Sequence, residues 1–494
     1  MSSNAPRVGD AVGGRGSVPV ILSLVLRGGE EVYDMVGRRF RFVAVLAFAG
    51  IGVSLSQPFQ ALAQQGQQAA GVWVDTDGVL RTRIYHDPSG QLTRQRMARA
   101  RATLDPEVSR PSTLRKVSLN RLEAAVARRL DEAQPITDDM KYLAGLTRIR
   151  YVFFYPETKD IVIAGPSEGY GHDLSGRTIG LDSGRSVLEL EDLVVALRAF
   201  GPEADGQEVI SVSIDPTSEG LARMQQYVVS LRGRVSPGQS RRVAAGLRDS
   251  LGFQTVSIRG VSGKTHFAQV LVEADYRMKL IGIGLERPPV RIVSYVEKSD
   301  LSRSAANALQ RWYFVPDYEC VRVSDDELAM ELVGDGVKLV GQDELVTGEG
   351  ARVKSNRVNR ASQIFVKSFT KKYPELADKS PVYAQLRNLI DMAVAAAFIQ
   401  DYDYYARADW SMDVFSDEEE FSVENYDAPA QVEAAVNAIS KRGRLGFPIG
   451  GGVNMQPRRA LDANNLLDDE DGRVDALRKD IRVESLPKDR WWWD

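Results

Sequence analysis

A serine flanked by glycines at the end of a strand is where a hydrolytic nucleophile would sit, and Gly165-Pro166-Ser167-Glu168-Gly169 has that form, with His172 and Asp173 close behind. A nucleophile elbow must turn straight from strand into helix, which exposes the serine and aims a backbone N–H at the oxyanion. Here Tyr170, Gly171 and further glycines follow, a pattern that spells a loop. Ser167, His172 and Asp173 are therefore the catalytic candidates of a hydrolase alternative, while the main reading of the segment is a structural turn. Gly260-Val261-Ser262-Gly263-Lys264-Thr265 imitates a phosphate loop. It has two residues between its glycines where the cradle of N–H groups needs four. Asp469, Asp471 and Gly472 echo a calcium loop, but Leu467 and Arg478 stand where its first and twelfth ligands belong. The three histidines, His86, His172 and His266, lie far apart, and nothing in the sequence asks for a metal or other cofactor. The lone cysteine, Cys320, sits among apolar and aromatic neighbours and reads as a buried thiol. Asp401, Asp403 and Asp409 alternate with Tyr402, Tyr404, Tyr405 and Trp410, which reads as a helix end packed on the core or, alternatively, as a sugar-binding face.

These residues must be positioned by a mixture of hairpins and helices. Val72–Asp75 and Val79–His86 alternate as two strands around Asp77-Gly78. A basic helix carrying Arg94, Arg96, Arg99 and Arg101 follows, read as a solvated face. Helical spacing of Leu122, Val126 and Leu130 precedes strands at 150–155 and 160–164. Helices are expected at 190–200, 216–233, 239–251 and 265–278, with strands at 208–214 and 253–259. Strands at 290–297, 312–323, 328–333 and 337–340 are expected to form an antiparallel meander. Two helices, 359–373 and 382–400, should pack on it, the second with Leu386, Leu389, Ile390, Ala393 and Ala397 on one face. Past Tyr405 the periodicity weakens. A short helix at 431–440 and, from Gly450-Gly451-Gly452 to Asp494, a largely disordered tail are expected. The fold class is thus α+β, with an α+β core over 70–285, a meander plus helix pair over 286–405, and a weakly ordered acidic tail over 406–494.

Residues 35–63 form a separate unit. Arg38, Arg39 and Arg41 precede an apolar run of 13 residues, Val43 to Leu55, and then polar residues and Ala61-Leu62-Ala63. This is the layout of a secretory signal peptide, with cleavage expected after Ala63. A bilayer-spanning helix needs about 20 apolar residues, so no transmembrane span is expected in the mature chain. Residues 1–34 are read as an upstream extension, with Met35 as the true start. The destination is the periplasm or the extracellular space.

The 494 residues are 43% hydrophobic and 26% charged with a formal net charge of −4, the balance of a globular chain. Without a basic stripe, a nucleic-acid partner is discounted. Three of the six tryptophans close the chain as Trp491-Trp492-Trp493. Clustered indoles dock on something, so these three are the candidate contact for an envelope protein or glycan, or else fold back on their own domain.

Four separated segments resemble one bacterial exported family: Asp160-Ile-Val-Ile-Ala-Gly-Pro166, Ser213-Ile-Asp-Pro-Thr-Ser-Glu-Gly-Leu-Ala222, Glu273-Ala-Asp-Tyr-Arg-Met-Lys279 with Gly282-Ile-Gly-Leu285, and Trp312-Tyr-Phe-Val-Pro-Asp317. The family is that of domain of unknown function 1598, and the likeness spans most of residues 70 to 400. It implies export and a shared globular core, and it brings no activity, cofactor or site residues. The sequence therefore points to an exported, non-catalytic envelope or secreted protein with a binding or assembly role. The alternatives are a Ser167-based extracytoplasmic hydrolase or a carbohydrate-binding protein.

Overall fold

The computed structural model describes residues 69–204, 209–231, 237–299, 308–346, 352–354, 359–439, 444–446, 449–487 and 489–494. The expected extension 1–34, signal peptide 35–63 and cleavage point lie outside them.

The α+β class expected from the sequence is what forms. The larger sheet has nine strands in the order Ala69–Val74, Val79–Tyr85, Gln431–Glu433, Phe253–Arg259, Ile210–Pro216, Ile449–Met455, Ala308–Pro316, Val337–Val346 and Arg352–Lys354. Two of its pairings are parallel, Gln431–Val432 beside Val79–Leu80 and Gln310–Phe314 beside Ile449–Val453; the others are antiparallel. A second, wholly antiparallel sheet runs Val321–Val323, Ala329–Leu332, Tyr151–Tyr155, Asp160–Ser167, Ser112–Ser118 and Trp492–Trp493.

Local chemistry explains the elements that came out as expected. In the first hairpin the Asp75 carboxylate accepts the N–H groups of Asp77 and Val79, and Gly78 takes the positive φ of the turn. Thr217 and Thr265 cap the helices Ser218–Ser230 and His266–Gly282, accepting Gly220 N–H and Ala268 N–H. Helix Pro381–Asp401 is buried on every side from Val382 to Ile399, including the polar Gln385, Arg387, Asn388 and Asp391, so the buried surface extends past the single apolar face expected for it. It packs against helices Leu190–Ala199, His266–Gly282 and Arg360–Ala377. Length and composition would let it cross a membrane, but its apolar stretch is used up inside the fold.

Three expectations are corrected. The meander is divided: Ala308–Pro316 and Val337–Val346 pair in the larger sheet, while Val321–Val323 and Ala329–Leu332 belong to the smaller one. Residues 290–294 are not a strand, and the chain turns at Tyr295–Lys298 into one helical turn that Ser294 caps. The stretch expected as a helix at 431–440 holds the strands Gln431–Glu433 and Asn437–Ile439.

The expected disordered tail is folded wherever it is described. Its triple glycine lies inside a central strand. A Cβ at Gly452 would stand 1.9 Å from the Val212 carbonyl oxygen, and one at Gly451 2.1 Å from that of Trp312, so only glycine lets the three backbones meet. Asp469 caps helix Arg473–Asp480 by accepting from Arg473, Val474 and Asp475 N–H. Trp491 and Trp493 are buried, and Trp492 lies under the guanidinium of Arg115. Arg115 is itself wholly buried and holds the Asp494 carboxylate with two N–H groups, at 2.8 and 2.9 Å.

Candidate functional site

A cavity of about 480 Å³ opens between the N-terminal ends of helices Leu190–Ala199 and His266–Gly282, the loop Asp173–Thr178, and the segment Phe421–Tyr426. Its walls carry Glu189, Glu191, His266, Arg177, Tyr142 and Tyr426. The acids arrive through Glu189-Leu190-Glu191-Asp192, the first turn of a helix, where the aligned N–H groups favour negative charge. The imidazole arrives because Thr265 starts the second helix one residue before it, so the phosphate-loop look-alike becomes the turn that launches His266.

The His266 Nδ1 lies 2.9 Å from Asp192 Oδ2 and 3.7 Å from Glu189 Oε2. Tyr426 donates its hydroxyl to Glu191 Oε1 at 2.7 Å, and Glu189 and Glu191 hydrogen-bond to each other. Burial alone would pull the imidazole down. The carboxylates of Asp192 and Glu189 outweigh it and push His266 up to about 10, so it stands as an imidazolium at neutral pH. Burial raises Glu189 and Glu191 above the ordinary carboxylate range, and the charge of Asp192 adds to both. Tyr426 is pushed up by burial and by Glu191. Three carboxyl groups around one imidazolium cannot all ionise freely. The glutamate pair therefore holds on to a proton to higher pH than ordinary carboxylates do.

Another part of the lining is an arginine–glutamate network. Arg177 donates Nε to Gln385 Oε1 at 2.9 Å and pairs with Glu273, which also takes Arg277, itself bound to Glu286. Gln385 Nε2 comes within 3.5 Å of His266 Nε2, which joins this network to the imidazole. Further along the His266 helix, Lys279 and Asp275 form a buried pair at 2.9 Å, with Lys279 also donating to the Ile214 carbonyl. Burial lifts Asp275 to about 6 and depresses Lys279.

Residues 212–295 match the family model described as "Protein of unknown function (DUF1598)". The resemblance seen in the sequence is thereby shown over that stretch. It includes His266, Gln269 and Glu273 of the cavity wall together with Asp275, Arg277 and Lys279, and it leaves out Arg177, Glu189, Glu191 and Tyr426. No curated protein and no solved structure matches the chain.

The candidates read from the sequence lie elsewhere or serve other ends. Ser167 is buried and its Oγ has no hydrogen-bond partner among the described residues. His172 is exposed, with Nδ1 3.2 Å from Thr178 Oγ1. Asp173 accepts from Ser175 N–H, Ser175 Oγ and Arg177 N–H, which folds the loop that presents Arg177. The three are not joined into a proton relay. Tyr404, Tyr405 and Trp410 are buried, and Trp410 donates to Glu123, so no open aromatic face exists there. Burial raises the Cys320 thiol to about 12, as suits an inert core residue. Sequence reasoning missed Arg177, Glu189, Glu191, Asp192, His266 and Tyr426. The available signal was three acids within four residues at one helix start and a histidine at another. Each alone looks like ordinary helix capping.

Proposed function

We propose that this is an extracytoplasmic protein whose α+β core binds a small polar ligand in the Glu189–His266 cavity. The convergence of Glu189, Glu191, His266 and Tyr426 on one open cavity carries the reading, since clustered ionisable groups with displaced pKa values mark binding and catalytic sites. The leader-like segment at 35–63 supports action outside the cytoplasm. Carboxyl groups, a guanidinium and the rings of Tyr142, Phe421 and Tyr426 in one lining suit a ligand with several hydroxyl or amine donors and one flat apolar face. A second reading, hydrolysis by general acid–base catalysis, is favoured by one observation: a glutamate pair held above its ordinary range beside an imidazolium.

The test is calorimetric titration of the full chain with saccharides, dipeptides and polyamines, run beside Gln269→Trp, which puts an indole on the cavity wall. Binding to the wild type that the variant loses supports the proposal. Equal binding by both places the ligand elsewhere and sinks it.

A further inference from the structure

The acidic lobe of this cavity has more to say than its shape. Glu189, Glu191 and His266 each offer one ligand atom, all within 4.8 Å of one another, the spacing of groups that share an ion. Asp192 touches His266 without belonging to this group. It is 3% exposed, uses Oδ2 on His266 Nδ1, and leaves Oδ1 buried with no hydrogen-bond partner among the described residues. A buried carboxylate oxygen without a partner favours positive charge beside the group. Tyr426, donating to Glu191, supplies an outer contact of the kind that orients metal ligands.

We propose that Glu189, Glu191 and His266 bind a divalent first-row transition ion of the Mn²⁺, Fe²⁺ or Zn²⁺ class, an inference that rests on the same cavity being the functional site. Two carboxylates and one imidazole nitrogen make a mixed oxygen and nitrogen set, which suits these ions better than the all-oxygen cages of Ca²⁺. Carboxylate and imidazole ligands hold a cation in their deprotonated forms, so binding releases protons and tightens as pH rises. Open volume toward Arg177 leaves coordination positions for water or for an anionic or hydroxyl group of the organic ligand.

The experiment is titration of the chelator-treated full chain with Mn²⁺, followed by loss of the free-ion EPR signal, and with Zn²⁺ by calorimetry in two buffers of different ionisation heat. One ion per chain is expected, with proton release and with affinity roughly 10–100-fold weaker in both Glu191→Gln and Glu189→Gln. Gln269→Trp should keep its ion. Circular dichroism of the two glutamine variants guards against unfolding. Absence of saturable binding, or equal affinity in wild type and both folded glutamine variants, overturns the metal site. Ligand binding that survives this outcome, and that Gln269→Trp still abolishes, leaves the cavity reading standing on its own.

Discussion

Replacing Asp192 by asparagine keeps the shape of the side chain that faces His266 and removes its charge. The two atoms are 2.9 Å apart, and Asp192 leads the groups that lift the imidazole to about 10. Loss of an opposite charge at this range lowers a pKa by about 1–3, which puts His266 between about 7 and 9 in the variant. A group raised above its unfolded value adds stability that is complete below that value and disappears as pH climbs through the folded one. In the wild type the His266 contribution is therefore intact below about pH 6.5, amounts to about 4 kcal/mol at most near pH 7, and is lost toward pH 10. Glu189 and Glu191, also raised, act in the same sense from the acid side, so stability should decline across the whole alkaline arm. Asp192→Asn should lose about 1–4 kcal/mol at pH 7 and move the decline to lower pH. Two measurements check this: urea unfolding at pH 6, 7 and 9, and ring-carbon NMR titration of His266, assigned by the signal missing in His266→Gln. A wild-type imidazole titrating near 6.5, or a value unchanged in Asp192→Asn, refutes the electrostatic account of the site.

Glu123 is buried and accepts from Trp410 Nε1, Val414 N–H and Phe415 N–H, so Glu123→Ala strands three donors and should cost about 3–5 kcal/mol in urea unfolding, with Glu123→Gln milder. Ser167→Ala removes a buried hydroxyl that has no partner among the described residues, and it should be neutral or slightly stabilising in the same assay. Cys320, with its thiol raised to about 12 by burial, should react with an aromatic disulfide reagent only at the rate of unfolding, and at once in denaturant. Protein collected outside the cytoplasm should begin at Gln64 on N-terminal sequencing, and Leu46→Lys in the apolar run should stop its appearance there.

Much of the fold was legible because periodicity is local. Helices Leu190–Ala199, Ser240–Leu251 and His266–Gly282 and strand Phe253–Arg259 fall within a few residues of where apolar spacing put them. The tail was not legible. Gly450-Gly451-Gly452 carries no apolar pattern, and its strand exists because Val212 and Trp312, more than 130 residues away, press their backbones against it. Gln431–Glu433 is too short to show alternation and is a strand only because it bridges Leu80 and Gln254. The division of the meander has the same origin, since alternation shows that a segment is a strand without showing which sheet it joins. The site was the least legible part: its groups come from residues 177, 189–192, 266 and 426, and only the topology brings them within hydrogen-bond reach.

The central claim is that this cavity is where the protein meets its ligand. Amide NMR spectra of the isotope-labelled full chain, recorded with and without the low-molecular-mass fraction of bacterial envelope extract, test it most directly. Shifts confined to residues 71–72, 141–142, 175–178, 189–192, 266–273 and 421–426, and absent in Gln269→Trp, are what the account predicts. Shifts that gather elsewhere, for example around the exposed Trp73 and Phe253, while these segments stay silent, would contradict it.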